Sequence, residues 1–199
     1  MKGDGVQGVC RIEAGGRGLS RVVDEAGRVV AWWWGGNLLR EETPEVEGND
    51  AEPVMMWSGW MGEDVFERDP RCWGPAGMTA LRERLAALRA GGERRTILLR
   101  PHARHVLNDP QRCAAFQTEY GPLGFGLVLD AAAMLEDSMI AQAPDHLERI
   151  FERLGPLSPW VVVDDETMGL VRVHAPRARL VRLERFAPCS LCRRARTLP

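Results

Sequence analysis

The sequence lacks several features that would assign it to a special class of protein. It has no apolar run near the roughly 20 residues that a helix needs to cross a bilayer, so no membrane span is expected. It also lacks an N-terminal basic segment followed by an apolar one, so no secretory signal is expected. Together these absences predict a cytoplasmic location.

A net positive charge is also lacking, and lysine is nearly absent. The formal net charge is -2 at pH 7, and Lys2 is the only lysine. A general nucleic-acid binder needs a cationic surface that displaces counterions from phosphate groups. We therefore expect neither nucleic acid nor a membrane as a partner, and the oligomeric state stays open.

The sequence also has no disulfide pattern. Its five cysteines are an odd number at irregular spacings in a chain without an export signal, which favours reduced thiols. Cys189 and Cys192 have the spacing of zinc ligands, but no second pair of ligands lies nearby in the sequence. An intermolecular or chance role for these two thiols is equally open.

The length, the composition and the pattern of the sequence predict one α/β domain spanning residues 1–199. The 199 residues are 45% hydrophobic and 27% charged, as in ordinary globular proteins. From residue 75 to residue 165, helical and strand patterns alternate, which predicts parallel βα units. A mobile basic tail is expected from about residue 188. Less regular strands are predicted at residues 9–13, 28–34, 53–60, 170–174 and 180–184.

Three of the predicted strands end in polar side chains. Residues 96–102 end in Arg-Pro-His, residues 124–130 end in Asp130, and residues 160–165 end in two aspartates. Because the carboxyl ends of parallel strands meet at one edge of a sheet, we expect these three strands to be parallel neighbours with their ends on one rim. The sequence therefore predicts a functional site at that rim.

Residues 101–102, 108–116 and 124–130 resemble the middle of xylose isomerase-like TIM barrels, a family of sugar isomerases and sugar-phosphate epimerases. The resemblance covers residues 78–165. It implies a TIM-barrel-like (β/α) fold that is shortened or incomplete, because such barrels typically need about 250 residues. It also implies isomerisation or epimerisation of a small sugar or sugar phosphate.

The same resemblance implies a divalent metal, Mn, Mg, Co or Zn, which polarises the carbonyl and hydroxyl groups of the substrate. Asp130 matches an aspartate ligand of the family, His102 is a further ligand, and Glu184 is the candidate for a glutamate on the last strand. Arg100 and Ala133 stand where the family has a glutamate and a histidine. The alternative is therefore a non-catalytic binding or interaction module with a degenerate metal site.

Asp130, His102 and His105 are the predicted catalytic groups, and Arg100 is expected to hold an anionic substrate through a bidentate contact. Each has a structural alternative. Asp130 can cap the segment that follows it, and the two histidines can lie in a loop facing water.

Trp57 and Trp60 are predicted to contribute to substrate binding as flat walls for a sugar ring. Large aromatic side chains also dominate the packing of protein cores, which is the alternative role for both.

Overall fold

Eight β-strands close into one barrel in chain order in the computed structural model, which describes residues 8–14, 18–46 and 50–182. Strands β1 to β3 pair antiparallel. Each later neighbour pair from β3 to β8 is parallel, and β8 closes the barrel by pairing parallel with β1. The strands are β1 (Val9–Ala14), β2 (Leu19–Val23), β3 (Val29–Trp34), β4 (Val54–Trp57), β5 (Ile97–Arg100), β6 (Phe125–Leu129), β7 (Trp160–Val162) and β8 (Arg179–Arg182).

Helices connect the parallel strands from β4 onwards. They are α1 (Pro75–Ala90), α2 (Pro110–Tyr120), α3 (Ala143–Leu154) and α4 (Met168–His174). At the start of α2, the Asp109 side chain accepts a hydrogen bond from the Arg112 N–H, and Pro110 occupies the first turn. In the described part of the chain, no helix combines the length and the apolar character that a membrane crossing requires.

The prediction of a TIM-barrel-like (β/α) fold is wrong, because the barrel is mixed and its first three strands form an antiparallel meander. A parallel crossover needs a dozen or more residues, whereas the short segment 24–28 joins β2 to β3. Asp24 closes this turn by accepting hydrogen bonds from the N–H groups of Ala26 and Arg28, and Gly27 has φ +76°. The turn therefore imposes a hairpin where a TIM barrel has a helix.

The prediction that the three rim strands are parallel neighbours is confirmed. β5 pairs parallel with β6, and β6 pairs parallel with β7.

Near the C-terminus the predictions are only partly correct, because the predicted strand at residues 170–174 belongs to helix α4. Strand β8 overlaps the predicted strand at 180–184, while Glu184, Cys189, Cys192 and the predicted basic tail lie outside the described residues.

Alternate side chains of the strands pack into two separate apolar clusters. On β5, Ile97 and Leu99 pack with the helices, whereas Leu98 belongs to the cluster inside the barrel. Arg100 continues the inward series of β5, and Asp130 continues that of β6. Both side chains therefore point towards the barrel axis at its carboxyl end. The interior cluster comprises Cys10, Val22, Ala31, Trp33, Met55, Trp57, Trp60, Cys72, Leu98, Val128, Trp160, Val162 and Val181.

Candidate functional site

Four polar side chains collect at the carboxyl ends of β5 and β6, and we call them the Arg100 centre. Arg100 is the last residue of β5, His102 and His105 lie in the loop that follows it, and Asp130 directly follows β6. All four are buried, with exposed fractions of 1% or less. Charged groups are seldom buried this completely unless they have partners, so the contacts of each group define what the centre can do.

The central contact is an ion pair between Arg100 Nη2 and Asp130 Oδ2. The other carboxylate oxygen of Asp130 accepts a hydrogen bond from the Ala133 N–H at 3.2 Å. Asp130 thus combines an ion-pair role with the capping role that was its alternative. Ala133 contributes a backbone N–H at a position where the resemblance implied a histidine.

Two indole rings flank the Arg100 guanidinium. Its central carbon lies 4.0 Å from the centre of the Trp57 ring and 5.3 Å from the centre of the Trp33 ring. These are distances at which a cation is attracted to the face of an aromatic ring. Arg100 Nε and Nη1 are nevertheless buried with no hydrogen-bond partner among the described residues. The guanidinium therefore has donors that the described part of the protein does not use.

The two histidines have defined tautomers. His102 Nδ1 accepts a hydrogen bond from the Arg104 N–H at 3.0 Å, so this nitrogen carries no proton. His105 Nε2 lies 2.9 Å from the Val65 carbonyl oxygen, which can only accept, so this nitrogen carries the proton. His105 Nδ1 is buried and has no partner within the described ranges.

Burial holds the pKa of His105 well below its ordinary value of 6.5, because the charged imidazolium would lose its hydration. The His102 ring, when it is protonated, and the Arg100 guanidinium lower the pKa further, since each then carries a positive charge that repels an imidazolium. His105 is therefore a neutral imidazole at pH 7. The Arg100 centre accordingly contains one cation and one anion in contact, together with two neutral rings.

Aromatic rings enclose the two imidazoles. Trp57 meets His102 edge-on at 5.6 Å between ring centres and His105 at 5.0 Å. Trp60 stacks on His105 at 5.2 Å, and Phe66 lies 5.4 Å from His102. Such packing excludes water and strengthens the electrostatic interactions inside.

Trp60 is held in place from a distant part of the chain. The Asn37 amide donates to the Trp60 carbonyl at 2.9 Å, and its oxygen accepts from the Trp60 N–H at 3.2 Å. Gly59 has φ +86°, and a Cβ there would lie 2.6 Å from Leu39 Cγ. A glycine at this position therefore allows the chain to turn back so that Trp60 reaches His105.

Residues 58–69, which we call the covering segment, carry the groups that lie over the histidines. Val65 provides the carbonyl that binds His105, and Phe66 provides the ring against His102. Neither was identified from the sequence, because a backbone carbonyl leaves no sequence signal and residues 62–74 have no apolar period. The inward position of Trp33 could have been found by continuing the strand alternation along β3.

The structure brings together most of the side chains that the sequence singled out. They are Trp57, Trp60, Arg100, His102, His105 and Asp130. Asp164 and Asp165 are not among them, since Asp164 caps the Thr167 N–H and Asp165 pairs with Arg182 at the surface.

The predicted metal-binding character is wrong for the described residues, which contain no group of three or more His, Cys, Asp or Glu side chains placed to hold a metal ion. The physical reason is visible at Asp130, whose carboxylate pairs with the Arg100 guanidinium. Arg100 stands where the resemblance placed an anionic ligand, so this position adds a positive charge in place of a metal-binding oxygen. The candidate ligand Glu184 lies outside the described residues.

Comparison of the chain with protein-family models, with curated proteins and with solved structures finds no match.

Proposed function

We propose that this chain is a binding protein for a small polyhydroxylated ligand, a sugar or a sugar phosphate, held at the Arg100 centre. One observation carries the proposal. Arg100 Nε, Arg100 Nη1 and His105 Nδ1 are buried without hydrogen-bond partners among the residues that the structure describes. Each such atom costs about 1–3 kcal/mol, and a ligand that supplies oxygen atoms and hydroxyl hydrogens removes this cost.

Binding is favoured over catalysis by the state of the two best catalytic candidates. The Asp130 carboxylate pairs with Arg100 and accepts from the Ala133 N–H, so proton abstraction would have to disrupt these contacts. A general base works best when its pKa is near the operating pH. His105 is neutral at pH 7, but its lowered pKa makes it a weak base there.

Ligand entry requires residues 63–68 of the covering segment to move. The described contacts of these residues with the histidines are the hydrogen bond from His105 to Val65 and the ring contact of Phe66. Glu63 and Asp64, in the same segment, are exposed and add no buried apolar area. A segment with few buried contacts opens at a lower free energy than the barrel does, so entry does not require global unfolding.

The proposal is tested by thermal denaturation and titration calorimetry of the full chain with a panel of pentoses, hexoses and their phosphate esters. We expect at least one compound to raise the melting temperature and to bind stoichiometrically. The double variant Arg100→Met/Asp130→Leu removes both charges together and should lose this binding. The matched control Arg182→Met/Asp165→Leu removes an exposed pair and should keep it. Absence of binding across the panel would exclude the proposed function.

Isomerisation or epimerisation of the bound sugar by proton transfer is the second candidate function. The observation that favours it is the partnerless Nδ1 of neutral His105, since among the described residues no group occupies its lone pair. The test is proton NMR of a bound sugar in D2O. Exchange of a carbon-bound hydrogen next to the carbonyl, lost in His105→Gln, supports proton transfer. A sugar that binds without exchange is only a ligand.

A further inference from the structure

The charges of the Arg100 centre are balanced before any ligand arrives. Arg100 contributes one positive charge and Asp130 one negative charge, and the two groups are in direct contact. The next cation along the chain, Arg104, faces two carboxylates, at 3.3 Å to Glu136 and 3.5 Å to Asp137. Among the residues that the structure describes, a charged ligand would therefore bring an uncompensated charge into a buried site, which is among the most unfavourable events in a protein interior.

The histidines do not change this balance. His102 Nδ1 accepts a hydrogen bond from the Arg104 N–H. A ring nitrogen that accepts a hydrogen bond carries no proton, so this imidazole is neutral. His105 donates from Nε2 to the Val65 carbonyl, and its other nitrogen has no partner in the described part of the chain. An imidazolium there would bury a second N–H donor without an acceptor. Both rings are therefore neutral in this arrangement.

The partnerless atoms also have a mixed character. Arg100 Nε and Nη1 are donors, whereas His105 Nδ1 in its neutral form is an acceptor. Both side chains lie against the same indole, since the Arg100 guanidinium is 4.0 Å and the His105 ring 5.0 Å from the centre of Trp57. A hydroxyl group can accept from Arg100 and donate to His105. A carboxylate or a phosphate dianion can only accept, so its oxygens would meet the His105 lone pair with no hydrogen between them.

We infer that the ligand of the Arg100 centre is an uncharged polyhydroxylated molecule, a free sugar or a sugar alcohol, and that the phosphate and carboxylate derivatives of the same sugar are excluded. The inference rests on the proposed function and narrows its ligand class. It reassigns Arg100 from an anion-binding group, as the sequence predicted, to a donor for hydroxyl oxygens whose charge Asp130 balances.

The test compares matched pairs of ligands with the full chain by titration calorimetry. The pairs are glucose with glucose 6-phosphate, ribose with ribose 5-phosphate, and glucitol with gluconate. We expect an uncharged member to bind and its charged partner to bind at least tenfold more weakly. A charged member that binds equally well or more tightly would overturn the inference while leaving the proposed function standing. If no member of any pair binds, both fail.

A charge variant provides an independent measurement. Asp130→Asn removes the compensating negative charge, so the ratio of affinities should shift at least tenfold towards the phosphorylated member of a pair. Asp165→Asn makes the same substitution at an exposed position and should leave the ratio unchanged. An unchanged ratio in folded Asp130→Asn would overturn the inference.

The double variant Arg100→Gln/Asp130→Asn keeps the site without net charge. It replaces the single variant in this experiment if Asp130→Asn does not fold. It should still bind an uncharged member more tightly than the phosphate ester. Preference of this double variant for the phosphate ester would contradict the role of charge balance.

Discussion

The two ends of the barrel carry the same kind of ion pair in opposite surroundings. At the carboxyl end the side chains of Arg100 and Asp130 are 0% and 2% exposed, whereas at the amino end those of Arg28 and Asp24 are 79% and 20% exposed. The buried pair lies among indoles and imidazoles, while the exposed pair borders an open cavity of about 480 Å3. Burial, and not the type of contact, therefore distinguishes the two ends, and the buried end is the one that we propose as the ligand site.

The largest expected effect comes from breaking the buried pair on one side. Asp130→Ala leaves the Arg100 charge buried without its partner, and we expect it to lower the free energy of unfolding by about 3–5 kcal/mol. Urea denaturation followed by tryptophan fluorescence measures this loss. A loss as small as that of an exposed salt bridge would show that water reaches Arg100, contrary to its complete burial.

Removing both members of the buried pair should reverse that loss. In Arg100→Met/Asp130→Leu neither charge of the pair remains, and the variant also lacks the Arg100 Nε and Nη1 atoms, which have no hydrogen-bond partner among the described residues. We expect the free energy of unfolding to equal or exceed that of the wild type, by up to about 4 kcal/mol, because apolar replacements often outperform buried ion pairs. The same denaturation experiment checks it. A double variant as unstable as Asp130→Ala would indicate a packing role for the two side chains.

A pH effect sharpens the comparison further, because the histidine that causes it lies at the buried end. Below pH 6.5 the unfolded chain protonates His105, while the folded chain does not, since its pKa is lowered by burial. The unfolded state then binds more protons, so this contribution to stability falls as the pH falls. The fall begins near pH 6.5, proceeds at about 1.4 kcal/mol per pH unit, and ends at the lowered pKa of folded His105.

The variant His105→Gln retains a donor for the Val65 carbonyl and should flatten this part of the stability profile. His146, which is partly exposed on α3, provides the matched control. Replacing it with Gln should leave the pH dependence in place. Equal slopes in wild type and His105→Gln would show that His105 is not the group responsible.

The smallest effect is expected at the open end. Arg28→Ala breaks an ion pair whose arginine is largely in water, where the gain from pairing is offset by side-chain entropy and screening. The melting temperature should change less than it does in Asp130→Ala. A large drop would mean that this pair secures the β2–β3 turn more than the backbone hydrogen bonds to Asp24 do.

How far the sequence predicted the molecule differs between the two halves of the barrel. Strands β5 and β6 are apolar runs that end in polar residues, and this local pattern was enough to place Arg100 and Asp130 on one rim. Strand β2 was missed, because its short mixed run follows the glycines at residues 15–16 and carries no clear period. Its pairing is decided by the turn at residues 24–28.

The remaining errors have two different physical origins. Residues 170–174 have strand-like composition, yet they belong to helix α4, and reciprocal local hydrogen bonds between Asp164 and Thr167 lie directly before that helix. The metal prediction failed because of a tertiary contact. A sequence shows that Asp130 ends a strand, but it does not show that Arg100 takes up its carboxylate.

The pairing of β8 with β1 has a consequence for how the barrel forms. Val181 lies beside Cys10, so the last described strand must find the first one across most of the chain. Contacts between residues this distant in sequence raise the contact order, and the loop-closure entropy must be lost before they form. During synthesis the β1–β3 meander can pair early. The edge of β1 that does not face β2 stays unpaired until β8 has left the ribosome. Closure is then a late step, and a chain that stops before Arg179 exposes strand edges on which aggregation starts.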